Sequence, residues 1–503
     1  MCVAALPQAE EERSGGADSR FRSAPASPNR AGCMILTAPA FLAPTSAMRA
    51  EIAAVLRIAV PLAAANLLGM AIYAIDVIFV AMLGTEALAA VTLSTSLYGL
   101  ALWSMMSMVG AVAPLAASAI GRRRNALRDV RRTVRMGLWI AVMAGAFVMA
   151  VMLVAEPLMR ATGQSPEVTR LAGAYLSVLA FAAIPTILAS TLRVFVSTLD
   201  RAAIATAITV LALFVNALGN WLLIFGNWGF PEMGIEGAAL ASVITVCIQL
   251  IAYVVVIQSS RQMRRYYLFG RLWRPDWERF VEIFKIGLPI AAITCAEGGL
   301  FGAAAFLMGA LGEIELAAHA LAIQLAATGF QVPMGIAQGA TIRVGLHDGA
   351  DDRPGIGRAG RASLMLMAGF ALAMATIMVG APRLLLSIYV DTSDPANAAL
   401  VGFAVSYVAV AAAFQLFDGA QAVLAGLLRG LSDTRVPLLI ALFGYWPCGF
   451  GTAWLLAFVL GWGGLGVWIG LAVGLVVTSA LMAWRWTWRD RLGLRTPRLG
   501  NSP

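Results

Sequence analysis

The chain has 503 residues, 60% of them hydrophobic and only 13% charged, with a mean hydropathy of +0.81. Soluble domains are about 45–50% apolar and about 25% charged, so a water-soluble globular protein is excluded, and the apolar runs are far too long for the alternating strands of a β-barrel. The net charge of +9 rests on arginine, because Lys285 is the only lysine; in Phe284-Lys285-Ile286 it cannot form the Gly-Lys-Ser/Thr of a Walker-type ATP site. His319 and His347 are the only histidines, which rules out HExxH metal chemistry. Cys2, Cys33, Cys247, Cys295 and Cys448 form no CxxC pair, so neither a disulfide framework nor a zinc site is expected. The arginine excess is read as a topology signal, and no nucleic-acid partner is expected.

Residues 1–47 read as a disordered extension, with Met34 and Met48 as alternative starts and no signal peptide. Twelve candidate helical spans follow. In the first half they are 55–82, 89–118, 137–155, 171–197, 203–226 and 235–257; in the second, 284–310, 316–343, 363–381, 399–427, 436–460 and 464–485. This divides the chain into an N-lobe (48–257), a basic linker (258–282), a C-lobe (283–487) and a tail (488–503). The linker's Arg, Tyr and Trp content suits either an interfacial helix or a solvated connection. Basic connections at 121–135, 259–279, 347–361, 429–435 and 488–498 alternate with turns at 84–86, 227–233, 312–315 and 461–464 that contain no Lys or Arg. By the positive-inside rule both termini are cytoplasmic.

The two halves share a pattern. Val60-Pro61-Leu62-Ala63-Ala64 recurs as Leu288-Pro289-Ile290-Ala291-Ala292, and Leu83-Gly84 as Leu311-Gly312; both lie at the same offset (289 − 61 and 312 − 84 give 228). Leu192-Arg193 and Leu428-Arg429 follow in the same order. A repeat of six spans re-enters the membrane from the same side. The halves are then two pseudo-symmetric six-helix bundles of an all-α membrane protein, with the working site between them.

Three acids interrupt this apolar pattern. Asp76 sits within Ile58 to Gly84, a stretch with no Lys or Arg, eight residues (about 12 Å) before Gly84. Glu297 lies near the middle of the seventh span and Asp418 within the tenth. An ionised carboxylate in hydrocarbon costs about 3 kcal/mol or more, so such residues face a protein interior or a wet cavity and mark ion pathways. A carboxyl that merely bonds a neighbouring helix is the plainer alternative. The repeat places Ala304 opposite Asp76 and Gly69 opposite Glu297 (304 − 76 and 297 − 69 give 228), so the acids are not copies of one another. They suit proton exchange or Na⁺ binding, at Asp76 or at Glu297 with Asp418, and the residues do not choose between the two ions. Asn216 and Asn220, one turn apart, share a face of the fifth span and are candidates to complete a pocket around Asp76; interhelical hydrogen bonds are the equal alternative. Tyr73, Phe301, Phe330, Phe417, Tyr445 and Trp446 are candidates to line a cavity for flat cationic molecules. Arg193 and Arg429 read as snorkelling residues at span ends.

Residues 61–84 with Leu88-Ala89-Ala90-Val91, residues 316–345 including His319, and residues 418–437 resemble the multidrug and toxic compound extrusion (MATE) family, in its NorM-type branch. The resemblance runs from about residue 50 to 485. It implies two bundles around a central cavity, and a carrier that exports drugs in exchange for Na⁺ or H⁺. By motif it gives Asp76, Glu297 and Asp418 as the cation-coupling acids; His319, within the matching stretch, joins Asn216 and Asn220, read from their helical spacing, as expected supporting polar residues. Ala81 departs from the glycine that the pattern carries there.

The expected function is a cation-coupled antiporter in the bacterial inner membrane, monomeric, without a cofactor, acting on small amphipathic and mostly cationic molecules. A flippase for a lipid-linked metabolite is the rival of the same class, and a basic cavity would favour it. An intramembrane enzyme is the other rival, limited to an aspartyl dyad by the missing metal and nucleophile sets; a non-transporting scaffold leaves the acids unexplained.

Overall fold

The computed structural model describes residues 46–161 and 165–494. The extension expected at 1–47 lies outside them except for Ser46 and Ala47, which already belong to the first helix, and the tail is described only to Leu494. Among the described residues twelve helices are long and apolar enough to cross a membrane. They are α1 (Ser46–Ala81), α2 (Thr85–Arg122), α3 (Ala126–Leu153), α4 (Pro166–Thr198), α5 (Ala202–Phe225) and α6 (Gly234–Ser259) in the first half. The second half supplies α7 (Trp277–Leu311), α8 (Glu313–Gly349), α9 (Arg353–Gly380), α10 (Pro395–Gly430), α11 (Arg435–Val459) and α12 (Gly463–Thr487). No strand occurs among the described residues.

Several helices overrun the apolar spans. α3 begins at Ala126 rather than 137 and α7 at Trp277 rather than 284, because backbone hydrogen bonding continues after hydropathy has fallen. The arginine-poor face has two further connections, at 154–165 and 381–394, and each carries one arginine, Arg160 and Arg383. Arg160 is paired with Glu156, so the charge asymmetry of the two faces survives.

The linker is neither a long interfacial helix nor a free strand of chain. It has one short helix, Arg261–Arg264, and then turns strapped to α3. Arg135 donates to the carbonyls of Leu268 (3.0 Å) and Tyr267 (2.7 Å), Trp139 to that of Leu272 (2.9 Å), and Arg132 holds Asp276.

Each half has its own core, and the first helix of each half is shared between them. Met48, Val55 and Ala59 of α1 pack into the second lobe's core, whereas Ile283, Ile286 and Ile290 of α7 pack into the first lobe's. Val55 and Ile283 are repeat mates (283 − 55 = 228), so this exchange obeys the internal symmetry. The lobes meet over their arginine-rich halves. There α8 approaches α2 so closely that a Cβ at Gly121 would collide with the Leu346 carbonyl, and one at Gly349 with that of Ser118. Glu51 of α1, 5% exposed, accepts from Arg343 of α8 at 2.8 and 2.7 Å and lies 3.2 Å from His347.

Candidate functional site

Asp76 faces the inside of the first lobe. Its Oδ1 accepts from the side-chain amides of Asn216 (2.9 Å) and Asn220 (2.6 Å) on α5, and its Oδ2 from the Ser242 hydroxyl (3.1 Å) on α6. Both asparagines are fully buried, and Asn220 also donates to Asn216 at 3.3 Å. The helical spacing of 216 and 220 puts both amides on one face. Ser242 was not singled out by sequence, because hydroxyls are common in apolar helices and usually bond their own backbone. The three partners are neutral donors, and among the described residues no Arg or Lys pairs with the carboxylate. The carbonyl oxygen of Asn220 is buried and unpartnered. A carboxylate beside a free amide oxygen forms an oxygen set of the kind a hard cation takes, and the same carboxyl can hold a proton.

The second lobe has a different arrangement. Asp418 of α10 is 4% exposed, Glu297 of α7 is half-buried, and the two lie within electrostatic reach of each other. Tyr445 of α11 and Gln421, less than one turn beyond Asp418, join them. Asp418 Oδ1 is buried without a hydrogen-bond partner, while the Tyr445 hydroxyl and the Gln421 side chain interact with each other. Pro447 has no N–H to donate back along α11, and the helix widens into π turns over Gly444–Phe450. Tyr445 is fully buried there, while Trp446 is left 38% exposed. One expectation needs correction: Arg429 does not snorkel but lies within electrostatic reach of Glu297. Arg193 does not snorkel either; it donates to the Asn66 side chain at 2.6 Å in the interior. Among the described residues no three His, Cys, Asp or Glu side chains gather as a metal site. An ion in either lobe would rest on one or two carboxylates with amide and hydroxyl oxygens.

The MatE family model matches the chain twice, over residues 61–222 and 289–455, and the two matches start 228 residues apart. The chain belongs to the MATE family. Among its relatives is the probable multidrug resistance protein NorM of Mesorhizobium japonicum, 44% identical over 450 residues, covering 90% of this chain and 96% of that one. The protein of the same name in Brucella suis is 41% identical over 436 residues, covering 87% and 93%. Both put this MATE protein in the NorM-type branch, and it is a multi-pass membrane transporter rather than an enzyme. The fold also matches a eukaryotic MATE transporter, AtDTX14 (TM-score 0.79, 19% identity, 88% and 98% coverage), and a Vibrio cholerae MATE transporter in its bent form (0.79, 15%, 89% and 99%). A Pyrococcus furiosus transporter described as having a binding pocket of reverse polarity shares the fold too (0.78, 20%, 90% and 100%).

The other expected site residues fall into two groups in this MATE fold. Tyr73, Phe417 and Trp446 are 46%, 36% and 38% exposed, and Tyr73 bonds Thr95 across to α2 at 3.3 Å. Phe301 and Phe330 are partly buried against the second core, and buried Tyr445 lies within electrostatic reach of the acids. His319 is 3% exposed with its ring 5.5 Å from Trp468, in an aromatic cluster with Phe414 and Tyr407. It packs in that cluster, and its Nδ1 is buried without a hydrogen-bond partner. Gln421 was missed although its spacing from Asp418 marks it as sharing that face.

Proposed function

We propose that this protein is a cation-coupled antiporter of the inner membrane, with both termini cytoplasmic, that exports amphipathic and mostly cationic organic compounds. The observation that carries the reading is Asp76, held deep in the first lobe by three neutral donors from two other helices. A carboxylate without a fixed counter-charge is neutralised most cheaply by something that arrives and leaves, a proton, a sodium ion or a cationic substrate. Asp418, whose Oδ1 has no hydrogen-bond partner, offers a second such place beside Glu297, which has Arg429 in reach. The lobes join through their arginine-rich halves, which supports alternating access by rocking about that contact. Ion and substrate then compete for the acids, and each expels the other. The relatives' name supports multidrug substrates. The acids disfavour the flippase reading, since a phosphate-bearing lipid would be repelled by them.

The test is efflux of a cationic dye from proteoliposomes under an imposed Na⁺ gradient and, separately, an imposed pH gradient. Efflux driven by one gradient and abolished in Asp76→Asn is expected. Equal efflux with neither gradient would refute coupling.

A further inference from the structure

A pocket of about 550 Å³ opens between the first turns of α9 and the end of α12, on the arginine-rich face and away from both acid clusters. Its mouth carries Arg353, Arg358, Arg361 and Arg489, and its inner wall Leu364 and Trp486. No carboxylate lines it. Arg358 is 3.2 Å from Asp352 and Arg489 is 3.7 Å from Asp490, whereas Arg353 and Arg361 are exposed and have no ion pair among the described residues.

Arg489 is held in place before any ligand arrives. Its guanidinium stacks 4.5 Å from the centre of the Trp486 ring and donates to the Trp486 carbonyl at 2.9 Å, and its Nε is buried without a partner. Trp486 is itself 6% exposed and lies against Gly360, where a Cβ would come within 3.0 Å of two ring atoms. Beside the pocket Trp484 and Trp488 are 55% and 42% exposed, and Arg491 stacks on Trp488 at 4.5 Å. Exposed tryptophans at the end of a spanning helix mark headgroup depth. Below them Met365 and Leu372 of α9 are 58% and 63% exposed, as residues facing acyl chains are. The site thus has a cluster of guanidinium groups at headgroup level that continues into an apolar wall.

We propose that this pocket binds the headgroup of an anionic phospholipid, with its phosphate between Arg353, Arg361 and Arg489 and its upper acyl chain along Leu364. Guanidinium forks match phosphate oxygens in bidentate geometry, and basic pockets between spanning helices are a recognised place for such lipids. The wall of Leu364 and Trp486 selects a lipid over a free anion, which gains nothing from an apolar surface.

The experiment is native mass spectrometry of the purified full chain after delipidation and titration with phosphatidylglycerol or phosphatidylcholine, with inorganic phosphate as a third arm. One tightly retained phosphatidylglycerol is expected, with no comparable retention of phosphatidylcholine. Arg353→Gln with Arg361→Gln is expected to weaken it on the order of tenfold. Arg264→Gln, in the linker, is the control and is expected to leave it unchanged. Unchanged retention in the double variant, or equal retention of both lipids, overturns the proposal; protection by phosphate equal to that by phosphatidylglycerol points to a free-anion site and overturns it as well. Both arginines are exposed, but should the double variant fold poorly, Arg361→Gln alone with a lipid-free melting control reads the same loss.

Discussion

At the arginine-rich face carboxylates have fixed cations: Glu51 takes Arg343, Asp276 takes Arg132, Asp433 takes Arg485 at 2.6 Å, and Asp352 takes Arg358. Mid-membrane, Asp76 has only neutral donors and Asp418 has an oxygen with no partner at all. A buried pair that is neutral in itself fixes geometry, and its removal costs stability. A deep acid without a fixed cation contributes little to stability and leaves one charge to be balanced by a mobile species. The contrast separates the residues that hold the lobes from those proposed above to carry transport. Within the deep set there is a second contrast, since the first lobe has one acid with its donors satisfied and the second has two acids sharing one cluster.

The largest expected effect is at Asp76. Asp76→Asn should lower gradient-driven efflux on the order of 100-fold, the upper range of a coupling energy, while the melting temperature stays within a few degrees of wild type. Asn216→Ala, which removes one hydrogen bond to the charged form, should cost about tenfold. A variant that unfolds but still couples when refolded would erase the distinction between the two sets.

In the second lobe the comparison sharpens into a question of additivity. If Glu297 and Asp418 hold one charge between them, each of Glu297→Gln and Asp418→Asn should lose most of the coupled rate, and the double variant little more. Initial efflux rates in a double-mutant cycle decide it. Losses that multiply would make them two independent sites.

What the sequence made legible follows the same division. Twelve spans, the repeat and the isolation of Asp76 are all one-dimensional patterns, because a bilayer imposes length and apolarity on every crossing. The meeting of Asn216 and Asn220 with Asp76 follows from helical spacing once α5 lies beside α1. Ser242 and the reach of Arg429 towards Glu297 depend on how helices rotate about their axes, which hydropathy does not encode. Tyr445 faced inward for a local reason, the π turn at Pro447, and His319 was drawn into Trp468's cluster by packing rather than by charge.

Among the fixed pairs, Arg343→Gln should lower the melting temperature by several degrees, about 1–3 kcal/mol, because it leaves Glu51 buried with His347 alone. Adding Glu51→Gln should recover part of the loss. A double variant worse than the single would mean that the pair is not what joins α1 to α8.

The smallest effect concerns Asp276, which lies just before α7 and outside the spanning segments. The hydrogen bond from Arg132 holds its carboxyl below the usual carboxylate range, burial opposes this, and the Arg279 backbone N–H adds to it. A carboxyl whose folded pKa is depressed stabilises the fold above the unfolded value, near about 3.9, and loses that contribution as pH falls through the lower folded value. Asp276 also caps α7 by accepting from the Arg279 N–H at 3.3 Å, and asparagine caps equally well, so Asp276→Asn removes the charge and keeps the cap. Wild type should therefore melt above Asp276→Asn by an amount equivalent to about 1 kcal/mol from pH 8 down to about pH 5. The gap should close below about pH 4. A gap that widens in acid would show that the Arg132–Asp276 pair does not work through the ionised carboxylate, and the contrast with the deep acids would then rest on Glu51, Asp433 and Asp352.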